Sequence, residues 1–364
     1  MEDEDDDFWS VAMLAPTINE RRTISVNTGN SADDEDIILY DTIQKSFTIL
    51  PPHEDDTPLM LNIQMNCNDG ILSDVASSIW DAGLLLSGYL YGTTEGRQLC
   101  YDACFGKNTD ECGCGILELG SGLGIVGMAA AAAALSVHTG RQDDKADSSQ
   151  SAKNICNIDD SSKLDIDKKE HNSVVLTDLN NDEILSQLRK NVNANMSTIA
   201  AAADSTTIDN LSITVAPCDW MDISKSLQTD TNIHERSNKQ FRQSSFEKNN
   251  KNFPKGPFSL VLGSALVYLP EHAVACADTL FYYLTGCTSN NNDTSPAIKM
   301  QAIILQLPDR AGFSTHFLPR CKELGLSISC QELEPELVKR VQQGLKNRRI
   351  PSARDYRLYF ISPK

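Results

Sequence analysis

The stretch Ile116-Leu-Glu-Leu-Gly-Ser-Gly-Leu-Gly-Ile-Val-Gly127 constrains the fold of this chain more than any other. A short apolar run meets a carboxylate, then closely spaced glycines, then the alanine-rich Met128 to Leu135. That order predicts a buried strand, a tight turn with no Cβ in the way, and a helix packed back on the strand. Such a turn offers bare backbone and the positive end of a helix to a nucleotide-like ligand.

Two ligand classes compete for the turn. Gly122-Leu-Gly124-Ile-Val-Gly127 matches the dinucleotide fingerprint, with Asp178 as the ribose acceptor. Glu118, however, stands just before the first glycine, where a carboxylate repels a pyrophosphate and attracts a cation. S-adenosylmethionine carries a sulfonium and an ammonium and no phosphate, and suits Glu118 better. Asp178 also lies 58 residues beyond Gly120, against about 20 in a dinucleotide-binding unit. A turn that binds nothing is the remaining alternative.

The chain has 364 residues and a formal net charge of −18. That balance argues against nucleic acid as the main partner, because phosphate contacts need Lys and Arg. Glu2-Asp-Glu-Asp-Asp-Asp7 reads as a solvating acidic tail. No long apolar run marks a membrane span, and an acidic start is the reverse of a signal peptide. Eleven cysteines, an odd number, fit reduced thiols in an unexported chain. Cys100, Cys104, Cys112 and Cys114 have no common zinc spacing, so no metal site is expected. The expectation is a monomeric cytoplasmic protein, with the nucleus as a second location.

Residues 1–36 read as an unstructured acidic tail and 37–364 as a single domain. Ile37 to Ile49 and Leu59 to Met65 alternate apolar and polar residues, as paired strands do. Ser78 to Leu90 reads as a helix with Ile79, Leu84, Leu86 and Leu90 on one broad face. Polar inserts are expected at about 138–172, 224–256 and 286–296. Between them lie strands at Val174 to Thr177, Leu211 to Ala216 and Phe258 to Leu262, and helices from Ile184 and from Pro270 to Leu284. Further strands follow at Ala302 to Leu307, Leu326 to Leu333 and Tyr356 to Ile361, the last two joined by a segment long enough for an antiparallel return. The fold class is therefore α/β: a Rossmann-like, seven-stranded, mostly parallel sheet, helices on both faces, and an N-terminal β extension. Ligands of such sheets sit beyond the strands' carboxyl ends. Gly120, Asp178, Trp220 and Ser264 all occupy such ends.

These pieces, in order, resemble the seven-β-strand protein-lysine methyltransferases, the group with the calmodulin and chaperone lysine methyltransferases. Ser78-Ile-Trp-Asp-Ala82 is similar to the family's upstream tryptophan motif, and Leu117 to Gly124 to its first methyltransferase motif. Leu176-Thr-Asp178 with Asn191-Val-Asn-Ala-Asn195 matches its T-D strand end and asparagine-rich helix. Asp219-Trp220 and Gly263-Ser-Ala-Leu-Val-Tyr268 match two later landmarks. The resemblance implies S-adenosylmethionine as cofactor and a protein substrate. It places Trp80 at the methionine end of the cofactor. Gly120, Ser121 and Gly122 give close backbone approach, and Asp178 takes the ribose hydroxyls. Trp220 and Asp219 meet the adenine, and Ser264 lines the floor. For Trp80 and Trp220 the alternative is a core aromatic; for Asp178 it is a helix cap, and for Asp219 a turn.

One position departs from the family. An acidic residue normally stands three before the tyrosine, and here that place holds Ala265. Tyr268 is the one catalytic candidate, holding an amine by its hydroxyl or ring face, and the alternative is a core tyrosine after a buried strand. With no strong general base beside it, positioning and desolvation are the expected contributions. The expected activity is methyl transfer to a protein lysine. A histidine, a protein terminus or a small molecule stays open as acceptor, as does a degenerate fold serving as an interaction module.

Overall fold

Strand and helix alternate from residue 115 onward, and their hydrogen bonding joins seven strands into one sheet. The computed structural model describes residues 21–26, 39–66, 79–106, 115–137, 172–203, 211–229, 253–254, 258–267, 269–285, 300–310, 312–345, 350 and 353–364, with only the backbone for 21–26, 39–42 and 66. Five strands are parallel: β4 (Gly115–Leu119), β5 (Ser173–Asp178), β6 (Ser212–Pro217), β7 (Leu260–Ser264) and β8 (Gln301–Gln306). With β9 (Leu326–Glu332) and β10 (Arg357–Pro363) the order is β6-β5-β4-β7-β8-β10-β9. β10 is antiparallel to both of its neighbours. This is the expected Rossmann-like α/β arrangement, with the antiparallel return in the expected place.

Strand side chains alternate between two buried cores. Ile116, Val174, Leu176, Leu260, Leu262, Ile303 and Leu305 belong to one. It includes residues of α1 (Asp81–Gly92), α2 (Thr94–Phe105), α3 (Ile125–Leu135), α4 (Asp182–Ala201) and α8 (Pro335–Gly344). Leu117, Leu119, Val175, Val261, Ala302 and Ile304 belong to the other, with α5 (Trp220–Thr229), α6 (Pro270–Thr285), α7 (Leu318–Glu323) and the π-helical turn Phe313–Phe317. Helices therefore cover both faces. Among the described residues, no helix is long and apolar enough to cross a membrane.

Local expectations needed three corrections and one added helix. α1 is buried all round from Ala82 to Gly92 rather than along one face, because it packs among α2, α3 and α8. α2 follows at once, started by Thr93, whose Oγ1 accepts the Gly96 N–H at 2.9 Å. It buries Cys100 and Cys104 as packing thiols, while Cys112 and Cys114 lie outside the described residues. The polar insert placed at 224–256 starts later, since α5 runs to Thr229 and buries Ile223 and Leu227. Ser224 is held there by donating to Asp278 Oδ2 at 2.8 Å. Finally, β1 (Arg21–Val26) falls within the stretch 1–36 expected to be unstructured; its backbone pairs antiparallel with β2 (Leu39–Ile49), a long-range partner that local composition does not reveal. The inserts 138–171 and 286–296 lie outside the described residues.

β1, β2 and β3 (Leu59–Asn66) form the N-terminal sheet, in that order. The far edge of β3 is closed by side-chain amides of α4. Asn195 accepts from Asn62 N at 2.7 Å and donates to Asn62 O at 2.8 Å. Asn191 does the same for Gln64, at 2.9 and 3.1 Å, and Gln187 donates to Gln64 O at 2.8 Å. Four helical residues rise about 6 Å and two strand residues about 6.7 Å, so the two spacings match. The helix thereby takes the place of a fourth strand and covers an otherwise open edge.

Candidate functional site

A cavity of about 350 Å³ opens over the carboxyl ends of the parallel strands. Its wall contains Trp80, Glu118, Gly120, Ser121, Gly122, Asp178, Asp219, Trp220 and Ser264, all nine of the residues expected to surround a cofactor. Tyr268, the catalytic candidate, lies outside the described residues.

The glycine turn is built as the chain order implies. Gly120 has φ +60°, and a Cβ there would come within 3.2 Å of both Trp220 and Leu266. Only glycine suits that backbone and keeps the space open. Asp178 closes the turn from β5: Gly122 N–H donates to Oδ2 at 2.7 Å, and Leu179 N–H to Oδ1 at 2.8 Å. Each oxygen thus spends one acceptor site on backbone and keeps another for a ligand. Burial raises the Asp178 pKa, while these two amide hydrogen bonds lower it.

Three polar residues carry more structural duty than their motif positions indicate. Glu118 is only 2 % exposed, and its Oε2 accepts the Gly127 N–H at 2.9 Å, fixing the start of α3. Burial pushes its carboxyl up to about 8. Burial therefore works against a standing negative charge on Glu118. A cation in the cavity would shift the balance back towards the carboxylate. Ser121 is stitched to β5: its N–H donates to Thr177 O at 2.8 Å, and its Oγ accepts from Thr177 N at 3.0 Å. Asp219 starts α5 by accepting the Met221 N–H at 2.9 Å, the helix-start duty of a short acidic residue.

At the end of β7, Ser264 and Ala265 line the wall. Ala265 has φ +49°, a left-handed conformation that Asn and Asp tolerate better than Ala. The backbone geometry thus suits an acid although the side chain is a methyl. Cys218 also lines the cavity, but burial raises its thiol to about 12, so it is not a reactive thiolate.

Several lining residues were not anticipated, among them Gly83, Met221, His272 and Arg310. Arg310 follows β8 by four residues, and its guanidinium lies 5.0 Å from the centre of the Trp80 ring. The rule that ligands sit at strand carboxyl ends, extended one strand further, would have included it. Apolar walls come from Leu123, Ile125, Val126, Ile184 and Leu266. A few polar groups converge among them, as in small-molecule sites generally.

Residues 60–158 match the family model for lysine methyltransferases. No curated protein matches the chain. Among solved structures, a TehB-like S-adenosylmethionine-dependent methyltransferase from Corynebacterium glutamicum is similar at 12 % identity and TM-score 0.32, covering 75 % of this chain and 90 % of that one. The plantazolicin methyltransferase BamL, in complex with a triazolic substrate analogue and S-adenosylhomocysteine, gives 10 % and 0.33, covering 78 % and 86 %. Phospholethanolamine N-methyltransferase 2 of Haemonchus contortus, in complex with phosphomonomethylethanolamine and S-adenosylhomocysteine, gives 11 % and 0.32, covering 94 % and 72 %. These overall likenesses are low.

Proposed function

We propose that this protein is an S-adenosylmethionine-dependent methyltransferase that modifies a lysine side chain of a protein. The observation that carries the proposal is the gathering of Gly120, Asp178, Trp220 and Ser264, from four strand ends, on one cavity with mostly apolar walls. The lysine methyltransferase match over residues 60–158 supports the same assignment.

The residues fit such a cofactor. Asp178 retains acceptor capacity for two neighbouring hydroxyls, Trp220 provides an aromatic wall, and Gly120 leaves the backbone bare beside it. Trp80 and Ser264 close the cavity, and Asp219 lies next to Trp220. When bound, S-adenosylmethionine supplies a methyl group already activated by a positive sulfur. The chain must then exclude water and align the acceptor, which oriented binding does effectively. Leu123, Val126 and Leu266 supply the exclusion.

A free lysine amine has a pKa of about 10.4 and reacts only when neutral. An apolar, aromatic surrounding disfavours its charged form, so desolvation does part of the deprotonation. Tyr268 is retained in the proposal as the residue that holds the amine. Ala265 leaves the usual acid absent, and this favours, as a second reading, an acceptor that needs no carboxylate, such as a histidine, a terminal amine or a small molecule.

The deciding experiment is incubation of the purified protein with labelled S-adenosylmethionine and cell extract, followed by mapping of the modified atom. Label on a lysine Nζ is the expected result. Label on a histidine or a terminal amine would replace the lysine assignment. Cofactor binding without transfer to any substrate would favour an interaction module.

A further inference from the structure

Along the sheet the site residues have a fixed order. Asp219 and Trp220 follow β6, Asp178 ends β5, Gly120 follows β4, Ser264 ends β7, and Arg310 lies beyond β8. Asp178 and the indole of Trp220 suit a nucleoside, so they fix one end of an elongated ligand. Arg310 stands at the other, three strand spacings or about 14 Å from β5, with a long stem that brings its guanidinium over Trp80.

That guanidinium stands in the cavity wall with no ion-pair partner among the described residues. It is half-buried in the cavity wall, with the Trp80 ring on one side. Among the described residues Arg97, Arg320 and Arg357 each have an acidic partner, while Arg340 is also half-buried without one but does not line the cavity. Burial lowers its pKa, and the one opposing influence comes from Tyr356. A desolvated cation without a counter-charge is costly. A planar guanidinium beside an aromatic ring can also offer two parallel bonds to a carboxylate.

We propose that Arg310, backed by Trp80, is the carboxylate receptor of the cavity and holds the amino-acid end of the sulfonium cofactor. This rests on the cofactor assignment above and adds the side chain that receives the carboxylate, at the β8 end of the cavity. It also sets a specificity, because a ligand with the same nucleoside and sulfonium but no carboxylate is discriminated against by this one side chain.

The test is equilibrium binding of three ligands to the full-length protein and to Arg310→Met and Arg310→Lys: S-adenosylmethionine, decarboxylated S-adenosylmethionine and 5′-methylthioadenosine. Wild type should prefer the first over the second by about 10- to 100-fold, the size of a charge-assisted hydrogen-bond pair. Arg310→Met should erase that preference by weakening S-adenosylmethionine alone, and Arg310→Lys should keep part of it. Unchanged affinity for 5′-methylthioadenosine in Arg310→Met shows that the fold and the nucleoside end survive. A preference that persists in Arg310→Met, or an equal loss for all three ligands, overturns the assignment of Arg310. Wild type that binds S-adenosylmethionine and its decarboxylated form equally also overturns it while leaving the cofactor reading standing. Wild type that binds none of them removes both.

Discussion

Two groups of buried polar side chains in this protein spend their hydrogen bonds differently. On α4, Asn191 and Asn195 direct both amide groups at the backbone of β3, donor to carbonyl and acceptor to N–H. Around the glycine turn, Asp178 gives one acceptor site per oxygen to backbone and faces the cavity with the rest. Both places look alike in sequence, as polar residues where apolar ones are commoner. What separates them is unspent capacity beside open space. A side chain whose hydrogen bonds all go to backbone holds the fold; one that keeps some beside a cavity is available to a ligand.

The largest effect is expected in the first region. Asn191→Ala combined with Asn195→Ala leaves the β3 edge unpaired and should cost about 2–5 kcal/mol in denaturant unfolding. Cofactor affinity of the folded fraction should change little for Asn195→Ala alone. Asn191→Ala should affect it more, because Asn191 Nδ2 also reaches Leu123 O, at 3.3 Å, in the cavity wall. Equal effects of the two single variants on affinity would erase the distinction between the regions.

Next in size is Gly127→Ala. Its Cβ would come within 2.6 Å of Glu118 Oε2 and 2.7 Å of Leu176 Cγ, so about 1–3 kcal/mol of overpacking is expected. If thermal unfolding shows no loss, the turn is looser than the structure indicates.

A further effect concerns protons. The folded pKa of Glu118 is raised from 4.5 to about 8, so the folded protein keeps a proton that the unfolded chain has lost. The stability linked to that group is fully present below pH 4.5 and declines as pH rises through about 8. Glu118→Gln can still accept the Gly127 N–H but does not titrate. Its unfolding free energy should gain on wild type steadily between pH 5 and pH 9. Parallel profiles for the two proteins would mean that Glu118 titrates like an exposed carboxylate.

Much of the cavity was legible because parallel sheets bind ligands where their strands end. Apolar runs closed by Gly120, Asp178 and Ser264 mark three such ends directly. Trp220 follows a fourth strand after a short turn, so order along the chain sufficed. Arg310 was missed because the reading of strand ends stopped at β7, although Asp309 and Gly312 flank it beyond β8. β1 was missed because a strand inside a polar stretch depends on its distant partner β2. The task of the asparagines was also hidden: spacing put Asn191 and Asn195 on one helix face, but nothing local shows that a strand edge lies opposite. Glu118 was read as a negative charge, and only its burial reveals how strongly that charge is disfavoured.

The central claim is that the cavity over the strand ends binds S-adenosylmethionine through the spare acceptors of Asp178. Calorimetric titration of wild type and Asp178→Ala with the cofactor, with unfolding midpoints measured alongside, tests it most directly. Wild type should bind, and Asp178→Ala should bind at least about tenfold more weakly while remaining folded. Equal affinities for the two folded proteins would contradict the account.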